Sequence, residues 1–473
     1  LRVLFAVKQI DYEPQGILHL SSALKAAGHD VALTVASLED PVRFAQEYRP
    51  DVLGYSVTTG SQGYYLDLNR RLRAQVDAFS VFGGPHPTYF PEMIQAEGVD
   101  GICRGEGEEA LVDLVNALAT GGDVVSIPNW WIKAADGTIH RNPVRPPTPD
   151  LDSLPPPDRK LIFDKDPFTR KSRLKHFITG RGCPYNCAYC YNQAYHELYR
   201  GKGSVVRRRS VGNVLTELKW VRDNYPLEFV VFLDDTFIWP KEWLDEFCAR
   251  YPGEIGLPFF CNVRPNLVNP EIVRLLKDAG CVSVGMGLES GDDHLRNLVL
   301  KRNLTRSQII EASRLLREAG ISIITTNMLG LPTSTLESDW ATLELNVACR
   351  PGYANSFLYQ PYPRTALGDL TRDQGLMAGS LDDIASSAWD STVLNFDPAT
   401  KRQLENLNLL FALAVEWPWA LPAIKRLIRL PRNPIYRLVY KLFKGYAIKK
   451  RIHPYNPSLA EFVETARRFM RFD

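Results

Sequence analysis

Residues 176–190 read His176-Phe-Ile-Thr-Gly-Arg-Gly-Cys183-Pro-Tyr-Asn-Cys187-Ala-Tyr189-Cys190. An apolar strand, HFITG, runs into a loop with three thiols within eight residues, while the cysteines at 103, 248, 261, 281 and 349 are scattered. The C-x3-C-x-aromatic-C spacing winds one tight loop on which three thiolates converge. Iron–sulfur clusters take thiolate ligands, and a four-iron cluster on three cysteines keeps one iron open. Zinc is the alternative: it calls for a fourth Cys or His at matching spacing, and His196 is the only near candidate.

Downstream, a strand, loop and helix pattern repeats. FVVFLDD, PFFCNVRP, VSVGMGLESG, SIITTNMLGLP and NSFLYQPYP are apolar strands, separated by helices such as NPEIVRLLKDAG and TRSQIIEASRLLREAG. With HFITG they make six βα units. Active sites of parallel barrels lie at the C-terminal strand ends, which here carry Asp234, Asp235, Arg264, Glu289, Ser290, Gly330 and Pro332. The cysteine spacing closely resembles that of radical S-adenosylmethionine (SAM) enzymes, and the six units resemble that family's partial (β/α)6 TIM barrel. The resemblance implies a 4Fe-4S cluster on Cys183, Cys187 and Cys190, with SAM chelating the open iron. It further implies that Asp234 and Asp235 meet the SAM ammonium and that Glu289 and Ser290 serve its ribose or carboxylate side. Leu329, Gly330 and Pro332, with Tyr189, would border the adenine, and Arg264 would pair with the methionyl carboxylate or a substrate acid. Plainer roles stand beside these: Asp234 as a cap on the following segment, Arg264 in an interior ion pair.

The N-terminal third alternates strands and helices from RVLFAV onward: GILHLSSALKAAG, DVLGYSVTT, a helix near 64–75, AFSVFGG, a helix near 89–97, and GVDGICRGEGEEALVDLVNAL. This is the pattern of a doubly wound, Rossmann-like parallel sheet, whose ligands sit at the carboxyl strand ends. The loops there read DYEPQG, SVTTGSQG, GGPHPT and RGEGEE, with glycines that let backbone approach a ligand. Asp11-Tyr-Glu13-Pro-Gln-Gly16 resembles the D-x-H-x-x-G signature of cobalamin (B12)-binding domains, with Glu13 at the histidine. Ser56-Val-Thr58 and the pair Gly83-Gly84 resemble the elements that follow it. The resemblance implies cobalamin bound without a histidine lower ligand; Gly105 is expected among the binding residues, and Arg104 and Glu106 are expected at the cobalamin tail. His86 sits in a suitable loop, and His19 lies on the first helix as a packing or surface residue.

These patterns divide the chain into 1–145, the cobalamin-binding domain; 146–172, a proline-rich linker that follows a D-G hairpin; 173–375, the partial barrel; and 376–473, a C-terminal helical domain expected to close the open side of the barrel. Between Lys425 and Arg451 stand ten Lys or Arg and no acid, interleaved with apolar residues. Such a segment either packs with its charges in solvent or lies on an anionic membrane. A net charge of +2 gives no support to nucleic-acid binding, and 45% hydrophobic with 23% charged residues is an ordinary globular mix. No apolar run spans a bilayer and the N-terminus lacks signal-peptide character, so a cytoplasmic protein is expected, with the basic helices available to the inner membrane surface. The isolated cysteines read as small buried residues.

The order of the two domains resembles the cobalamin-dependent radical SAM methyltransferases over about 375 residues. That resemblance implies an enzyme that activates a carbon with a 5′-deoxyadenosyl radical and methylates it from methylcobalamin, fed by an electron donor such as flavodoxin or ferredoxin. Ring-forming or rearranging members use the same cofactors without methyl transfer, and a third reading is a radical SAM enzyme whose N-terminal module no longer holds corrinoid. The substrate, be it a small molecule, a lipid-like molecule or a peptide side chain, is not written in the motifs.

Overall fold

The computed structural model describes residues 1–379 and 391–471. The chain forms two units, one of residues 1–175 with 194–209, the other of 176–193 with 210–473.

The first unit is built on β1 (Arg2–Val7), β2 (Asp30–Val35), β3 (Val52–Ser56), β4 (Phe79–Gly83) and β5 (Gly101–Cys103), extended by β6 (Trp130–Lys133) and β7 (Ile139–Arg141) in the order β2-β1-β3-β4-β5-β6-β7. The first five strands pair in parallel. Their residues are apolar in unbroken runs because helices cover both faces: Val3, Leu4, Phe5 and Ala6 are all buried. The order reverses direction at β1 and β3, so the loops leaving these strands open at a topological switch point. The D-G hairpin forms at Asp136-Gly137, and β6 joins β5 antiparallel. The helix expected near 89–97 is instead a short helix, Pro85–Tyr89, and a tight turn, Pro91–Gln95. Pro85, Pro87 and Pro91 lack the amides a continuous helix needs. The proline-rich stretch is tied to the unit. Asp158 caps the helix Arg159–Phe163 and accepts from Ser21 Oγ and Lys25 Nζ, both at 2.7 Å.

The second sheet carries β8 (Leu174–Phe177), β9 (Phe229–Phe232), β10 (Phe259–Val263), β11 (Cys281–Glu289), β12 (Ser322–Leu329) and β13 (Tyr353–Leu358), each beside its predecessor. β9 to β13 pair in parallel, and helices such as Pro270–Asp278 and Arg306–Glu318 return the chain between strands. This is the expected α/β partial barrel with a mostly helical remainder. Helix Pro398–Glu416 packs Leu404, Leu407 and Phe411 with Leu329, Leu343 and Leu358, and Ser356 Oγ donates to Asn408 Oδ1 at 2.8 Å, so it covers the edge at β13. The turn Ile448–Ile452 closes the opposite, N-terminal ends of the strands. There Ser283 Oγ donates to the Ile452 carbonyl and Arg451 Nη1 to the Gly352 carbonyl at 3.1 Å. His453 lies between Phe229 and Phe260, and burial, with His176 nearby, holds its pKa down to about 3. Among the described residues, no helix is long and apolar enough to cross a membrane.

Candidate active site

The three-cysteine loop follows β8. Backbone bonds pin it at Ala188, whose N–H reaches the Leu300 carbonyl (3.0 Å) and whose carbonyl accepts from Leu367 (2.8 Å). Each sulfur has a polar neighbour. Thr236 Oγ1 lies 3.5 Å from Cys183, Asn192 directs its backbone and side-chain N–H at Cys190 at 3.5 Å, and Arg264 and Arg302 approach Cys187 at 3.7 and 3.9 Å. Burial raises the Cys183 thiol and pushes Cys190 up to about 11, so deprotonation there calls for a metal, which removes the thiol proton outright. Among the described residues no three His, Cys, Asp or Glu are grouped for a single ion. Thiolates on different irons of one cluster stand further apart, and hydrogen bonds to sulfur are a normal part of a cluster's surroundings. The donor set therefore fits a three-cysteine cluster.

A buried charge network surrounds Cys187. Arg264, at the end of β10, stacks over the Tyr185 ring at 3.8 Å and donates to the Arg302 carbonyl. Arg302 donates to Tyr189 Oη at 2.9 Å and lies 4.0 Å from Glu289 Oε1. Glu289 also accepts from Tyr189 Oη and Thr326 Oγ1, each at 3.3 Å. Its backbone is left-handed, with φ +66°, where the register between β11 and β12 slips, and its carboxylate folds back over Gly287. A Cβ at Gly287 would stand 2.3 Å from Glu289 Oε1, so the fold of this side chain requires the glycine. Burial raises the Glu289 carboxyl, with Arg302 opposing, and burial likewise lifts the Tyr189 phenol, helped by Glu289. The Nε–H groups of Arg264 and Arg302 have no acceptor, so two buried guanidiniums keep capacity for an anion.

The other expected residues divide between site and scaffold. Asp234 accepts from the Thr179 N–H at 3.1 Å and hydroxyl at 2.8 Å, tying the ends of β8 and β9 together. Asp235 is exposed and accepts from Asn192 Nδ2 at 2.9 Å, the amide that also faces Cys190. Ser290 is buried and its carbonyl accepts from Arg296 Nη1 at 3.0 Å. Leu329 packs into the core shared with Leu404, beside buried Pro332. Gly330, at φ +63°, donates to Asp339 Oδ1 at 3.1 Å. Asp339 Oδ2 is buried with no partner, and burial pushes this carboxyl up to about 8. Arg302, Asn192, Thr179 and Asp339 were not marked by any motif. The one sequence signal for Arg302 is its place between the end of β11 and the capping box Thr305 to Gln308, in a loop on the barrel's working edge.

The first unit's edge is built differently. Gly84 has φ +93°, and a Cβ there would lie 2.9 Å from Val57 N and 3.0 Å from Ser56 Oγ, so the β3 and β4 loops meet backbone to backbone. His86 Nδ1 lies 3.2 Å from Thr59 Oγ1 and its ring stacks on Phe90. Asp11, Gly16 and Thr58 are exposed; Asp11 accepts from Gln9 Nε2, and a Cβ at Gly16 would meet nothing within 4 Å. At Gly83 a Cβ would make only ordinary contact with Cys103, at 3.7 Å. Glu13 is turned inward, 3.8 Å from Arg159 Nη1, with both side chains almost fully buried. Gly105 makes room for Tyr199, whose hydroxyl would lie 2.2 Å from a Cβ there. The Glu106 carboxylate is occupied by Tyr195 Oη (2.8 Å), the Thr148 N–H (3.0 Å) and a two-point contact with Arg207.

A parallel half-barrel with three thiols at its mouth, preceded by a doubly wound sheet, defines a two-cofactor enzyme class. Residues 177–345 match the radical SAM superfamily, and residues 1–115 match the B12 binding domain. An uncharacterized methyltransferase of Pyrococcus horikoshii is 28% identical over 75% of this chain and 77% of its own. An anaerobic magnesium-protoporphyrin IX monomethyl ester cyclase of Rubrivivax gelatinosus is 26% identical over 77% and 67%. The fold is shared with the radical SAM methyltransferase TsrM of Kitasatospora setae, solved with cobalamin and a 4Fe-4S cluster, at TM-score 0.69 and 19% identity over 99% of both chains. It is shared also with the cobalamin-dependent SAM radical enzyme OxsB, at TM-score 0.69 and 16% identity over 99% of this chain and 75% of that one. The chain belongs to the cobalamin-dependent radical SAM enzymes.

Proposed function

We propose that the enzyme is a radical C-methyltransferase. When bound, the 4Fe-4S cluster supplies the electron that cleaves SAM to a 5′-deoxyadenosyl radical, and cobalamin supplies the methyl group. Cys183, Cys187 and Cys190 hold the cluster. Arg264 and Arg302, with their unfilled Nε–H groups, receive the SAM carboxylate. Asp235 is the exposed carboxylate beside the cysteine loop and meets the ammonium, while Glu289 and Tyr189 orient the nucleoside side from a site closed to water. A low-potential donor such as flavodoxin or ferredoxin delivers the electron.

One observation carries methyl transfer: Glu13, which stands where the motif has histidine, is committed to Arg159 in the interior. That loop would then offer a bound cobalamin no imidazole, an arrangement that suits delivery of a methyl group to a carbon radical. The cyclase relatives support a second reading, ring formation with the same cofactors. The first experiment is anaerobic: load the purified chain with cluster and cobalamin, then measure corrinoid per chain and the cob(II)alamin EPR spectrum. Near one corrinoid without nitrogen splitting supports the proposal. Transfer of label from methyl-labelled SAM to product then separates methylation from cyclisation, in which the product is oxidised and carries no label. Failure to retain corrinoid would leave a radical SAM enzyme with a scaffold-only first unit.

A further inference from the structure

The described surface exposes eighteen large hydrophobic side chains, and eleven of them lie between Trp417 and Val463. The helix Pro434–Ala447 explains the concentration. Tyr436 and Ala447 face the protein, whereas Ile435 (66% exposed), Leu438 (48%), Leu442 (63%) and Tyr446 (54%) follow one another at helical spacing. At ~100° per residue these four fall within roughly 80° of the helix circumference, a single continuous stripe. Trp419 (80%), Leu427 and Leu430 extend the apolar surface into the preceding turn and helix. The cations are interleaved with it: Lys425, Arg426, Arg429 and Lys450 are exposed, within a stretch of ten Lys or Arg and no acid.

We infer that this face docks on an anionic phospholipid bilayer, lying in its surface rather than crossing it. The argument is one of charge and chemistry together. An apolar stripe flanked by cations matches acyl chains beneath anionic headgroups, and tryptophan and tyrosine suit that boundary. A second copy of the chain would bring the exposed Lys425, Arg426, Arg429 and Lys450 against their own counterparts, so an isologous contact is opposed by like charge. No helix among the described residues is long and apolar enough to span the bilayer, which leaves surface binding as the mode. The turn Ile448–Ile452, directly after this helix, closes the N-terminal strand ends of the barrel. The docking face is therefore anchored to the end of the barrel away from the cysteine loop, so membrane contact leaves the chemistry free.

The test is vesicle co-sedimentation of the full, cluster-loaded chain under anaerobic conditions. Vesicles of phosphatidylcholine alone are compared with vesicles holding about one-third phosphatidylglycerol. Pelleting about tenfold greater with the anionic vesicles, and reversed by high salt, supports the inference. The double variants Leu438→Gln/Leu442→Gln and Arg426→Glu/Arg429→Glu should each reduce binding about tenfold, with unchanged circular dichroism and unchanged SAM cleavage. Absence of pelleting, equal pelleting on both vesicles, or indifference to both variants would overturn it. So would a dimer in gel filtration that the Leu438→Gln/Leu442→Gln variant converts to monomer, since the occupant would then be a second copy.

Discussion

The two units both place ligand-facing loops at the carboxyl ends of parallel strands, yet they arm those loops in opposite ways. On the first unit the edge is glycine, hydroxyl and backbone, and its buried charges, Glu13 and Glu106, are spent on Arg159 and Arg207. On the second, Arg264, Arg302, Glu289 and Tyr189 are buried together around one sulfur. On the proposed reading, a large, mostly uncharged macrocycle would be met by shape and close backbone approach, and a small zwitterionic nucleoside with a thiolate-held cluster would be met by charge. Desolvated charges are costly without partners, so the second edge is the more fragile of the two before its ligands arrive.

Cys187→Ala should break the contrast most sharply. Iron content and 5′-deoxyadenosine production are expected to fall to background while corrinoid retention stays unchanged; retained SAM cleavage would refute the cluster assignment. Arg302→Met comes next. It leaves Glu289 and Tyr189 without their cation and is expected to cost about 3 kcal/mol or more, read as a lower melting temperature of the cluster-free protein.

Glu13→His probes the other edge. Breaking the buried pair with Arg159 is expected to cost about 3 kcal/mol, and the cob(II)alamin EPR spectrum should gain no nitrogen splitting, because that side chain points inward. Appearance of splitting would mean that the loop turns outward when corrinoid binds. The smallest effect is a pH dependence. Asp339 has its folded pKa raised to about 8 by burial, so the native state holds a proton that the unfolded chain releases near pH 4. Stability should decline from about pH 4 to about pH 8 through this group, and Asp339→Asn should flatten that decline in urea titrations at a series of pH values.

Much of this architecture is legible from local pattern. Apolar strands at regular spacing announce both sheets, and three cysteines in one loop announce the cluster because all of that information lies within eight residues. The legibility ends where a role depends on distant partners. Asp234 and Asp235 are neighbours in sequence, but one ties two strands together and the other faces Asn192. Glu106 lies beside a suggestive Gly105 in an edge loop, and its partners come from residues 148, 195 and 207. Arg302 is one arginine among many until folding buries it beside Cys187. The helix expected at 89–97 gives way to two short pieces because Pro85, Pro87 and Pro91 each remove a helix donor.

The return of residues 194–209 to the first unit has a consequence for how such enzymes can be taken apart. The chain passes between the units three times, so neither is a segment that one cut can release. A fragment ending at the close of the proline-rich stretch would lose Tyr195, Tyr199 and Arg207, leaving Glu106 without three of the groups that hold it. A chimera that exchanges the barrel must therefore carry residues 194–209 over from the parent of the first unit.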